Sequence, residues 1–264
     1  MTGRARWKPI VLAIALGLAA AFVTASPRTR PLLQNTLWLA LGAIAISLPV
    51  GTALAWLAYR TNAPGAAGFR WLLTALLFLP PYLQVAGWDA GFGLQGWFPR
   101  WWSPGQVTAP LTGWRAAILL HGVIAIPWVT LLVGLGLRRI PRELEELALL
   151  EGRTAQVLWH ISLRWSAPLI VAAAVWTLVL TAGEITITDL YQIRTFAEEI
   201  YTGFALGDSL AAAHRRALPG GLLIASLSIG VLWIAHVFTD RFLLVGSQRP
   251  LQFDLGGARW VASG

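Results

Sequence analysis

Six blocks of mostly apolar residues, at approximately 9–25, 35–58, 70–88, 112–137, 166–183 and 221–244, constrain this chain more than any other feature. A helix crosses the hydrocarbon core of a bilayer in about 20 residues. Inside lipid, each backbone N–H and C=O must find its partner within the segment, so blocks of this length fold as helices. The composition agrees: 56% of residues are hydrophobic and 12% charged, against roughly 25% charged in a soluble domain. There is no cysteine, which excludes disulfides and thiolate metal sites. The net charge of +8 is spread through short connections. It is read as topology information and not as a nucleic-acid patch. The expected fold class is therefore an all-α integral membrane protein with six transmembrane helices.

With the N-terminus in the cytoplasm, 13 of the 20 Lys and Arg lie inside, among them Arg4, Arg6, Lys8, Arg60, Arg138 and Arg139, and 7 lie outside. This asymmetry favours cytoplasmic termini; Arg28 and Arg30 run against it. The first block also has the shape of a signal peptide, ending near Thr24-Ala25-Ser26. Five further spans and the charge pattern favour an uncleaved helix. Trp97, Trp101 and Trp102 mark the 89–111 connection as an external cap at headgroup level. "LPGG" at 218–221 reads as a break. The domain reading is a six-span unit over 1–245 and a polar, Gly-rich, loosely packed tail over 246–264.

One stretch between spans is neither apolar nor a plain linker. In "ELEELALLEGRTAQVLWHISLRW" (143–165), Pro141 suits a first helical turn, and Glu143, Glu145 and Glu146 complement the helix dipole there. Leu144, Leu147, Ala148 and Glu151 recur at helical spacing, and Gly152 stands where a C-terminal cap would fall. A second helical pattern runs from Thr154 through Val157, Leu158 and Ile161. The reading is a cytoplasmic hairpin of two short amphipathic helices over 141–165, too short to span the bilayer. Such a helix suits a groove on a partner protein. A lipid-surface role would call for Lys and Arg on its polar face; this helix carries Glu instead.

"EELALLEG" (145–152) followed by "ISLRWSAP" (161–168) resembles the signature loop of ABC importer permeases. Glu146, Ala148, Gly152, Ile161 and Leu163 match that pattern. Leu147 replaces the first Ala, the spacer after Gly152 is eight residues, and Arg164 replaces a Pro, with Pro168 following. "NTLWLALGAIAISLPVGTALAWLAYRTNAPG" (35–65) is similar to the second span of such permeases. "FLPPYLQVAGW" (78–88) and "GEITITDLYQIRTFAEEIYTGF" (183–204) are similar to the iron(III) transport branch. The resemblance implies a permease subunit of the bacterial inner membrane, not an enzyme, with iron(III) as cargo; thiamine, molybdate, sulfate and polyamine permeases share the scaffold. It implies three partners: a cytoplasmic ATPase dimer that carries ATP and Mg, a second permease half (identical or different), and a periplasmic or extracellular binding protein. In this reading Glu145, Glu146, Ala148 and Gly152 couple to the ATPase, while Ile161 and Leu163 pack the hairpin. The chain itself has no Gly-rich phosphate loop, no catalytic constellation and no metal-ligand motif, so no cofactor is expected on it.

Within and beside the spans, Glu184, Thr188 and Asp189 are candidates for lining the pathway. An acid at membrane depth costs roughly 2.5–3.5 kcal/mol and should face protein or water. The alternative for Glu184 is a structural carboxylate paired with Arg115 or Arg194, or one solvated at the interface. His121 and His236 fit interhelical hydrogen bonds better than a proton relay. Gly42, Ala43, Ser47 and Gly51 form a small-residue stripe that serves either an intramolecular contact or a permease–permease interface. Two rival functions remain. An ion-driven secondary transporter would use Glu184, Asp189 or His121, and a membrane scaffold would recruit its partner through the hairpin. Gly152→Asp is expected to insert normally but to lose transport; wild-type uptake by that variant would remove the docking hypothesis.

Overall fold

The computed structural model describes residues 4–93, 96–102, 111–207, 209–243 and 251–253. Among them the chain is helical: α1 (Arg4–Thr24), α2 (Thr29–Arg60), α3 (Ala66–Leu77), α4 (Pro81–Phe92), α5 (Trp97–Trp102), α6 (Gly113–Leu137), α7 (Arg142–Glu151), α8 (Thr154–Val157), α9 (Leu163–Gly183), α10 (Thr186–Leu190), α11 (Phe196–Ala205) and α12 (Leu210–Leu243). A π-helical turn, Leu158–Ser162, joins α8 to α9.

All six apolar blocks are helical, but they are not six equal spans. Four helices among the described residues are long and apolar enough to cross a membrane, five if α3 and α4 make one broken span. The third block breaks at Phe78–Pro80, because Pro80 lacks the N–H that would continue α3 and is extended (φ −55°, ψ 141°). The expected break at 218–221 does not occur: α12 runs through Pro219. Gly220 lies flush on the Phe196 ring there, so closely that a Cβ would clash with it. The tail is also not uniformly loose. Phe253 is buried, and it bridges backbone to backbone with Thr61. Apart from 251–253, the tail 246–264 lies outside the described residues, as do residues 103–110 of the expected external cap and the side chains of Trp102, His236 and Asp240.

The chain forms two compact units. In the first, comprising Met1–Ile46, Leu79–Ala125 and Trp176–Val231, Leu39, Val85, Ala117, Leu120, Ile187 and Ile193 make a buried core that Trp88 and Tyr191 cover. In the second, comprising Ser47–Phe78, Ile126–Val175 and Leu232–Gly264, the core is Ala55, Val129, Val133, Leu137, Ile140 and Ala173, with Trp56, Ile161 and Trp165 packed against it.

The stripe on α2 resolves to an intramolecular contact. In the first unit Gly42 faces Ile118, and a Cβ there would stand 2.8 Å from Ile118 Cγ2. In the second, a Cβ on Gly51 would stand 2.6 Å from Val129 Cγ1. Small residues let two backbones approach where lipid supplies no hydrophobic drive between helices. Gly51→Val therefore forces overpacking against α6 and is expected to cost about 1–3 kcal/mol. Gly68 is different: a methyl added there would meet nothing within 4 Å. It should accept Ala with a gain of up to about 1 kcal/mol. Unfolding in a detergent–denaturant titration distinguishes the two.

Candidate functional site

The second unit carries α7, a short polar helix between the long helices α6 and α9. Pro141 precedes it in an extended conformation (φ −58°, ψ 130°), and α7 begins at Arg142 with Glu143 and Glu145 in its first turn. Arg142 Nε donates to Glu146 Oε1 at 2.5 Å, an exposed i,i+4 pair. Leu144, Leu147 and Leu150 also face outward; Leu147 is 65% and Leu150 82% exposed. The outer side of α7 is therefore leucine-rich with Glu143 and Glu146 beside it, and Ala148 is half-buried. The Glu151 side chain lies outside the described residues.

Glu145 corrects the expectation that it contacts a partner: it is fully buried. Its carboxylate pairs with Arg60, the last residue of α2, which is also fully buried, and accepts the Ser162 hydroxyl at 2.8 Å. Arg60 Nη1 donates to the Leu137 carbonyl, at the end of α6, at 2.8 Å. Its guanidinium lies 5.8 Å from the centre of the Phe253 ring, and Arg60 O accepts the Phe253 N–H at 2.8 Å. One ion pair thus ties α7 to the ends of α2 and α6, to the π turn before α9, and to the tail. Helix periodicity places Glu145 opposite Leu147 and Leu150, and this was the signal available in the sequence. The partner, Arg60, is 85 residues away and carried no local mark.

The second half of the expected hairpin is not a separate short helix. From Thr154 the chain is helical to Gly183, through α8, the π turn and α9. No Gly or Pro interrupts it before Pro168, which α9 accommodates. The π turn adds one residue to a helical turn and ends on Ser162, the residue bonded to Glu145. Ile161 packs on the second unit's core, and Leu163 is half-buried at the start of α9. Gly152 also differs from expectation. It is extended (φ −137°, ψ 166°), a conformation open to any residue, so it is not needed as a left-handed cap. What restricts it is space: a Cβ would stand 3.1 Å from Gln156 Oε1 and 3.3 Å from Ala148 O. That Gln156 oxygen accepts the Arg153 N–H at 2.9 Å.

In the first unit, Glu184 follows the end of α9. It is paired with neither Arg115 nor Arg194. Its carboxylate caps α10, accepting the N–H of Thr186 at 2.7 Å and of Ile187 at 2.8 Å. Its Oε2 lies 3.6 Å from His121 Nε2, just beyond a hydrogen bond. His121 Nδ1 donates to the Ala117 carbonyl at 2.8 Å. Thr188 is buried and donates to Ile185 O at 3.0 Å; Asp189 is exposed. The three pathway candidates therefore sit on one capped turn, with Glu184 holding its start. Beside it, burial and then the Asp89 carboxylate push the Tyr191 phenol above its ordinary value, so that it stays neutral.

No protein-family model matches the sequence. The chain is 29% identical over 215 residues to the molybdenum transport system permease protein ModB of Escherichia coli (strain K12), covering 75% of this chain and 90% of that protein. The match to ModB of Escherichia coli O157:H7 has the same extent. A chain of a bacterial alginate ABC transporter, solved in complex with an alginate pentasaccharide-bound periplasmic protein, aligns with a TM-score of 0.55 and 20% identity over 91% of this chain and 90% of that one. A chain of the MetNI methionine ABC transporter in an inward-facing conformation aligns with a TM-score of 0.49 and 20% identity, over 93% and 100%. The fold is shared with the alginate transporter. The sequence relation is to a permease of a molybdenum transport system, which does not support the iron(III) branch that 78–88 and 183–204 resemble.

Removing one partner of a buried ion pair strands the other charge and costs about 3–5 kcal/mol, whereas replacing both by apolar groups is often close to neutral. Glu145→Gln is accordingly expected to be strongly destabilised. Arg60→Met combined with Glu145→Leu should recover at least half of that loss in a thermal melt of the detergent-solubilised protein.

Proposed function

We propose that this chain is the permease subunit of an ATP-driven importer, with α7 as the element that docks into a cytoplasmic ATPase. The observation that carries the reading is the contrast between the two sides of α7. Its inner side is fixed by a buried ion pair to the ends of two long helices, while its outer side leaves Leu144, Leu147 and Leu150 unburied next to Glu143 and Glu146. A helix that only closed a loop would bury its leucines. A helix that transmits motion from a partner needs a sticky outer side and a stiff attachment, and α7 has both. An amphipathic helix of this kind fits a groove.

The cargo we assign is an oxyanion, with molybdate the first to test. The support is the relation to ModB, whose name gives molybdenum transport, over 90% of that protein's length. A second permease half and an external binding protein complete the assembly in this reading. An ion-driven alternative has one observation in its favour, the titratable His121–Glu184 pair at 3.6 Å. Molybdate uptake into vesicles that depends on internal ATP and is insensitive to a collapsed proton gradient would discard that alternative.

The docking test is a detergent pull-down of the tagged chain co-expressed with an ABC importer ATPase from the same genome. Leu147→Glu puts a charge on the outer side of α7 without touching the buried pair. Burying a leucine is worth about 1.5–3 kcal/mol, so this variant should lose ATPase recovery by roughly tenfold or more while its membrane level stays at wild type. Full recovery of the ATPase with Leu147→Glu would defeat the proposal.

A further inference from the structure

A second feature of the same unit is unrelated to α7's outer side. A cavity of about 190 Å³ opens between Tyr59, Arg70, Arg138 and Gln252. Tyr59 is in the last turn of α2, and Arg138 follows the end of α6. The Tyr59 ring is held on one side by the bare backbone of Gly134, where a Cβ would clash with it. On another side the Arg70 guanidinium stands 5.3 Å from its centre. Arg70 is itself fixed: Nη1 donates to the Ala58 carbonyl at 2.6 Å, which leaves its other N–H groups free to serve the cavity. Arg138 is exposed. Among the described residues neither arginine has a carboxylate partner within ion-pair distance.

Among the described residues the lining therefore offers the donors of two guanidiniums, a phenol and a side-chain amide, and no carboxylate. Two positive charges share one small concavity, where each raises the cost of the other unless an anion joins them. Guanidinium forks match the geometry of a tetrahedral oxyanion. Basic pockets at the ends of membrane helices suit phosphate headgroups for the same reason. We infer that this cavity binds a phosphate group, carried either by an anionic phospholipid or by a free oxyanion from solution. Gln252 belongs to the tail segment that Phe253 fastens beside Arg60, so occupation of the cavity also ties that segment to the ends of α2 and α6.

The test uses the purified full chain in a neutral detergent, with its thermal midpoint followed by tryptophan fluorescence. One arm titrates inorganic phosphate against potassium chloride at matched ionic strength. The other titrates a short-chain phosphatidylglycerol against the diacylglycerol with the same chains. A saturable rise in midpoint is expected in at least one arm: in the first it identifies a free oxyanion, in the second alone a lipid headgroup. Arg138→Gln removes one charge-assisted contact and should weaken the half-saturation point about tenfold or more; Gln252→Leu provides the same comparison should Arg138→Gln fail to fold. No saturable response in either arm, or an unchanged half-saturation point in the variant, would overturn the inference.

Discussion

A fully buried charge pair holds the second unit of this protein together. Arg60 and Glu145 are both fully buried, a placement that carries a desolvation cost of several kcal/mol per ion unless every remaining polar atom is served. Most of them are: the Leu137 carbonyl and Phe253 ring attend the guanidinium, and the Ser162 hydroxyl attends the carboxylate. Each of these groups comes from a different stretch of chain. The pair therefore fixes geometry more than it adds stability. An apolar plug of equal volume would glue the same helices, but it would not fix the rotation of α7 about its own axis. That rotation decides whether Leu147 and Leu150 face outward.

The sequence made the helical blocks legible because lipid leaves the backbone no alternative. The same physics did not mark where a helix stops. Pro80 ended α3, yet Pro49, Pro127, Pro168 and Pro219 sit inside helices, since a missing N–H is tolerated where neighbouring segments support the freed carbonyl. The outer side of α7 was visible as a stripe of leucines and glutamates. Its anchor was not, because a carboxylate at helical spacing looks the same whether it meets water or an arginine 85 residues back. Gly152 stood out as a cap by position, whereas its backbone is extended and its constraint is the crowding of Gln156. Glu184 was recognisable as an unusual acid; its use as a cap for α10 depends on two N–H groups that sequence spacing does not single out.

The glycines on α2 and the ion pair at its end act on the same helix in different ways. Gly42 and Gly51 remove side-chain bulk so that backbone meets side chain directly, a contact with no charge and little tolerance for volume. Arg60 adds charge where the helix ends and its carbonyls need partners. Close packing thus governs the length of α2 and electrostatics its terminus, which is the division expected where the surroundings change from hydrocarbon to polar groups.

The leucines of α7 also bear on how the chain behaves when it stands alone. Leu144, Leu147 and Leu150 give the isolated chain an exposed apolar ridge, the kind of surface that invites non-specific association. Because the buried pair prevents α7 from rolling its leucines inward, an orphan copy has no means of concealing that ridge. The stiffness that fixes the direction of α7 therefore also fixes an adhesive surface on any copy of the chain that stands alone.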